Sequence, residues 1–145
     1  QVGKTYAVNK LGKQFDSYLA INFEYHLDAK ATFRKDLDPK RIISELELLF
    51  GKKIIPGKTL LFLDEAQQCP DALVALRYFY EIMPDLHIIA AGSLLYFAID
   101  EVGVPVGRVS FPVFRMLLII SRHLLWTGGV LSMVYITACK HQMGS

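Results

Sequence analysis

Two short stretches of this sequence hold residue types that handle phosphate. Near its start, Gly3-Lys4-Thr5 supplies the last three positions of the pattern G-x-x-x-x-G-K-[ST], preceded by Gln1-Val2. The first Gly of that pattern and two further loop residues would lie upstream of residue 1. In such a loop, backbone N–H groups at a helix N-terminus bind phosphate oxygens, the Lys reaches the β- and γ-phosphates, and the hydroxyl ligates Mg²⁺. Gly3, Lys4 and Thr5 are therefore candidate binding residues, Thr5 also as a metal ligand. A Gly-Lys-Thr triplet alone is a weak signal, and Gly57-Lys58-Thr59 repeats it. That second copy precedes a strand pattern rather than a helix and is set aside.

The second stretch is Asp64-Glu65, which closes the apolar run Leu60-Leu61-Phe62-Leu63. An Asp at the carboxyl end of a buried strand can hold Mg²⁺, usually through a water, beside the hydroxyl of the phosphate loop. The Glu after it is placed to polarise an attacking water as a general base. On the pattern alone an ordinary acidic turn reads equally well. A third candidate, Ser93, follows the run His87-Ile88-Ile89-Ala90-Ala91-Gly92. A polar residue there can sense the γ-phosphate or position the water, and a turn or helix N-cap serine is the alternative.

These residues need elements to bring them together. Residues 4–15 read as a helix, with Tyr6, Ala7, Leu11 and Phe15 at roughly helical spacing. A short strand follows over residues 19–23. Asp38-Pro39 reads as an N-cap and first helical position, opening a helix to about Phe50 with Ile42, Ile43, Leu46, Leu49 and Phe50 on one face. Pro56-Gly57 is a turn, and residues 59–63 form an unalternated apolar run suited to a parallel strand buried on both faces. A helix over residues 71–82 stops at Pro84, and residues 87–91 form another buried strand. Alternating strand and helix predicts an α/β fold with a parallel sheet and right-handed crossovers. Within that order, a Gly-Lys-Thr opening a helix and an Asp-Glu closing a later strand support each other.

Composition sets the limits. The chain has 145 residues, 52% hydrophobic and 21% charged, which fits one globular domain with a real core. A formal net charge of +2 gives no reason in itself to expect nucleic acid or an acidic membrane surface. Cys69 and Cys139 are too few and too far apart for a disulfide framework or zinc site, so they read as reduced thiols of a cytoplasmic protein. His26, His87, His123 and His141 lack metal-ligand spacing. No secretory signal opens the chain, and with no initiating Met it reads as a piece of a longer protein.

The quoted motifs resemble a family of prokaryotic AAA-type P-loop ATPases whose ATPase domain is followed by a separate C-terminal domain of unknown function. The resemblance rests on Gln1-Val2-Gly3-Lys4-Thr5, on Leu61-Phe62-Leu63-Asp64-Glu65-Ala66-Gln67 and on His87-Ile88-Ile89-Ala90-Ala91-Gly92-Ser93, and it covers about residues 1–111. The loop Val104-Pro105-Val106-Gly107-Arg108-Val109 also resembles the stretch after the family's sensor strand. It implies a three-layer, parallel-sheet P-loop NTPase fold with its first strand missing, and ATP and Mg²⁺ as ligands with slow hydrolysis. It further implies that Lys4 and Thr5 are Walker A residues, Asp64 and Glu65 Walker B residues, and Ser93 the sensor. Arg108 is a weaker candidate for approaching a phosphate.

Two departures from that pattern carry expectations of their own. Without the strand that feeds the phosphate loop, the strand edges beside the gap should be unpaired and apolar, and the phosphate nest should lack part of its backbone donors. From Ser110 onward there is no Asp or Glu, and residues 112–145 form an atypical apolar tail. Three readings compete for it: a transmembrane helix from Met116 to Ala138, buried core helices, or an aberrant, frameshifted continuation, of which the loss of acidic residues favours the last. A central Arg122 counts against the membrane span, at about 2.5–3.5 kcal/mol. The leading function is an ATP-binding domain that hydrolyses ATP in the intact protein. Its alternatives are a nucleotide-switched interaction module and a membrane-anchored protein. A protein or DNA partner and self-association into a homo-oligomer both stay open.

Overall fold

Apolar runs without alternation become the inner strands of a sheet covered on both faces. The computed structural model describes residues 2–92 and 132–136. Its elements are α1 (Val2–Gly12), β1 (Ser17–Asn22), α2 (Leu27–Lys35), α3 (Pro39–Phe50), β2 (Thr59–Asp64), a 3₁₀ turn (Ala66–Gln68), α4 (Pro70–Ile82), β3 (His87–Gly92) and β4 (Ser132–Ile136). The strands lie in the order β1-β2-β3-β4. β1, β2 and β3 run parallel, Leu19 beside Leu61 and Leu61 beside Ile88, as the α/β reading predicts. β4 runs antiparallel to β3, Ala90 opposite Val134, so the sheet is mixed rather than wholly parallel.

Side chains of a strand alternate between faces, and here each face has its own helix layer. Leu61, Leu63, Ile88, Ala90 and the β1 residues Leu19 and Ile21 pack with α2, α3 and α4. On the opposite face Leu60, Phe62, Ile89 and Ala91 pack with Val8 and, around it, Ala7, Leu11 and Phe15 from α1 and the segment after it. The result is three layers, helix, sheet and helices. β2 is buried along its first five residues, and each of its large side chains taken out of water contributes about 1.5–3 kcal/mol.

Helix ends follow local chemistry. Asp38 caps α3 by accepting from the Lys40 N–H at 3.2 Å, and Gly51 ends it in the left-handed region at φ 63°. α2 is an element that periodicity does not announce. Only Ala29, Thr32 and Phe33 of its nine residues are buried, too short a stripe to stand out among charged neighbours. It is held to α3 by Arg41, whose Nη2 donates to the Thr32 carbonyl at 2.9 Å, and by Lys35, which pairs with Glu45 at 3.0 Å.

The C-terminal strand overturns two expectations. Residues 132–136 pair as a strand with β3, so they form part of neither a transmembrane nor a buried helix. Among the described residues no helix is long and apolar enough to cross a membrane. The expected bare edge beside β3 is covered, while the outer edge of β1 has no strand partner among the described residues. Handedness explains which edge is at stake. With α2–α4 on one face carrying the chain from β1 towards β3, a right-handed crossover through α1, on the other face, into β1 must start beyond β3. β4 holds that slot.

At the other end of β3, the His87 ring meets Phe15 edge-on at 5.0 Å. Burial pushes its pKa below the ordinary histidine value, against a smaller opposing pull from Asp85. The unfolded chain therefore takes up this proton first. The stabilisation is present above about pH 6.5 and is lost as pH falls through the lower folded value. Thermal unfolding should show a small loss of stability as pH falls below about 6.5, small because the half-buried ring is solvent-screened. His87→Leu should flatten that drop, and an unchanged slope would assign it elsewhere.

Candidate functional site

In open α/β sheets ligands bind beyond the carboxyl ends of the parallel strands. Here those ends are polar. Asn22 and Asp64, the last residues of β1 and β2, are register partners. Asn22 Nδ2 donates to Asp64 Oδ2 at 3.4 Å, and Asn22 Oδ1 accepts from the Glu24 N–H at 2.8 Å. Asp64 Oδ1 accepts from the Glu65 N–H at 3.0 Å, and the Asp64 carbonyl accepts from the Phe23 N–H at 3.1 Å. The half-buried Asp64 carboxylate thus stands at the tip of a rigid strand. Its charge reaches the Tyr18 phenol, which burial first and Asp64 second push up to about 12.

Glu65 leaves the strand in the left-handed region, φ 51° and ψ 44°. Among the described residues it is the one non-glycine with positive φ. Such a conformation costs about 1–2 kcal/mol in an L-residue and is found where surroundings enforce it. The turn that follows is closed by Gln68 N–H to the Glu65 carbonyl at 2.9 Å and Cys69 N–H to the Ala66 carbonyl at 3.0 Å. The Glu65 side chain is only 6% exposed, and Gln67 Nε2 donates to its Oε2 at 2.6 Å.

The Gly3-Lys4-Thr5 end of α1 lies towards the same edge of the sheet. α1 runs opposite to the strands: Asn9 Oδ1 accepts from the hydroxyl of Tyr18 near the start of β1, and Phe15, just past the helix, meets His87 at the start of β3. An 11-residue helix spans about 16 Å and a 6-residue strand about 20 Å, so the first turn of α1 approaches the carboxyl ends of the strands. The helix begins at Val2, two residues before its expected start, and takes in Gly3 and Lys4. Thr5 is exposed. No acidic residue sits in the first turn to oppose an anion at the positive end of the helix dipole.

Mg²⁺ takes oxygen donors and keeps several waters, so one or two protein oxygens with the substrate phosphates suffice. Among the described residues no three His, Cys, Asp or Glu side chains cluster as an all-protein cage. A carboxylate on Asp64 and a hydroxyl on Thr5 fit the sparser kind of site. Ser93 and Arg108 lie outside the described residues. Asn22 is the site residue that sequence reasoning missed. Its signal was a polar residue ending an apolar strand, which gains meaning only once the register sets it beside Asp64.

The sequence model of one family, described as AAA domain, matches residues 1–118. No curated protein and no solved structure matches the chain. The chain belongs to this AAA domain family, and its α/β sheet, flanked by helices, is consistent with the P-loop NTPase fold of a nucleotide-binding, ATPase-type domain.

The backbone of Glu65 supplies a test independent of nucleotide. Because glycine adopts positive φ freely, Glu65→Gly should be more stable than Glu65→Ala by about 1 kcal/mol in urea unfolding. Equal stabilities would mean that the turn relaxes once the side chain is cut.

Proposed function

We propose that the chain binds ATP with Mg²⁺ at the carboxyl edge of its sheet and hydrolyses it as the ATPase domain of a larger cytoplasmic protein. Gly3 and the amides around it cradle the phosphates, Lys4 neutralises the β- and γ-phosphates, and Thr5 and Asp64 hold the metal. The bound ion would offset the charge that builds on the phosphate oxygens. Glu65 takes a proton from the attacking water as its oxygen bonds to the γ-phosphorus. The bond from that phosphorus to the β–γ bridging oxygen breaks, and ADP leaves with the electron pair. Ser93, one residue past β3, senses the γ-phosphate.

A single arrangement carries this reading. One buried strand ends in an Asp anchored by Asn22 and a Glu anchored by Gln67, at the sheet edge approached by the Gly-Lys-Thr helix. An incidental acidic turn would be solvated, whereas Glu65 is buried with a hydrogen-bond donor.

The test uses the chain preceded by residues that complete the G-x-x-x-x-G-K-[ST] loop. Lys4→Ala should abolish ATP binding in a titration. Glu65→Gln should keep ATP affinity while turnover falls by about 10²–10⁴, the usual contribution of a general base. Native turnover in Glu65→Gln would remove Glu65 from that role.

A further inference from the structure

We propose that Gln67 is the positioning residue for Glu65, and that Gly92 at the end of β3 is the position that leaves it room. The proposal rests on Glu65 acting as the general base. Gln67 lies in the 3₁₀ turn directly after Glu65, and its side chain folds back so that Nε2 donates to Glu65 Oε2 at 2.6 Å. A carboxylate that is only 6% exposed requires such a donor. An amide suits the task because it can donate without exchanging a proton. It takes up Oε2, so the general-base role falls to Oε1.

The other side of the Gln67 carboxamide lies against β3. A Cβ built on Gly92 would overlap Gln67 Oε1 and approach the Ala66 nitrogen to 3.4 Å. Positive φ does not explain this glycine, since among the described glycines only Gly51 and Gly57 adopt it. Space does. Gly92 is buried, and any side chain there would push the Gln67 carboxamide off Glu65. The base and the end of the neighbouring strand are thereby joined through one side chain. A displacement at the tip of β3 would reach the Glu65 carboxylate without any contact between Gly92 and the base.

The experiment compares Gln67→Ala, Gln67→Glu, Gly92→Ala and the double variant Gln67→Ala/Gly92→Ala with Glu65→Gln, in the loop-completed chain used above. Gln67→Ala should lower kcat by about 10²-fold with ATP affinity unchanged, as expected for a misplaced catalytic group. Gln67→Glu, which keeps the shape and removes the donor, should be no better. Gly92→Ala should reproduce the loss, and the double variant should be no worse than either single one. Urea unfolding of the same set should show the same non-additivity, a readout that needs no nucleotide. Strictly additive losses, or native kcat in Gln67→Ala while Glu65→Gln is inactive, would overturn the positioning role alone. Native kcat in Glu65→Gln would remove the general-base reading and this proposal with it.

Discussion

The fold depends on one strand being buried on both faces. β2 lies between β1 and β3, and Leu60 and Phe62 face the α1 layer while Leu61 and Leu63 face α2–α4. A strand so placed cannot shift register by one residue without exchanging its two faces and every packing partner. It also cannot leave its backbone groups unpaired, since no water reaches them. The two residues that emerge from it, Asp64 and Glu65, inherit this rigidity. That is why the carboxyl end of β2, rather than any surface loop, can hold two carboxylates in defined positions.

The exit from that strand is where local preference is overridden. A glutamate has no preference of its own for φ 51°. What holds it there is the 3₁₀ turn closed behind it, the Asp64 side chain accepting its N–H, and the Gln67 amide on its carboxylate. Strain of this kind persists only where the surroundings over-determine it, and here they also bury the charge. The same contacts that hold the backbone in a costly conformation therefore keep the carboxylate aimed.

A different constraint acts at the far edge of β3. An apolar strand edge needs a partner, and β4 provides one in antiparallel register from Gly92–Ser132 to Ile88–Ile136. The layer order makes this slot special, because it is the one that a parallel strand leading into α1 by a right-handed crossover would take. A sheet edge accepts either direction of partner, since both satisfy its N–H and C=O groups. The two occupants exclude each other.

Much of this was legible in the chain itself. The unalternated runs at residues 59–63 and 87–91, the Asp38-Pro39 cap and the order of motifs determine a parallel α/β core with Asp64-Glu65 at a strand end. They do so because burial on two faces and capping are local demands on residue type. Other features appear only with the tertiary structure. α2 has too short an apolar stripe to signal itself and is stabilised by its pairing with α3. Residues 132–136 read as a continuation of a long apolar stretch, and only the open edge of β3 makes them a strand. Asn22 is an ordinary residue along the sequence, and Gln67 and Gly92, though they stand inside the quoted motifs, carry no sign there of touching each other. Register brings the first beside Asp64, and a turn folded against a neighbouring strand brings the other two to Glu65. Contacts between strands far apart in the chain leave no periodic trace in either segment.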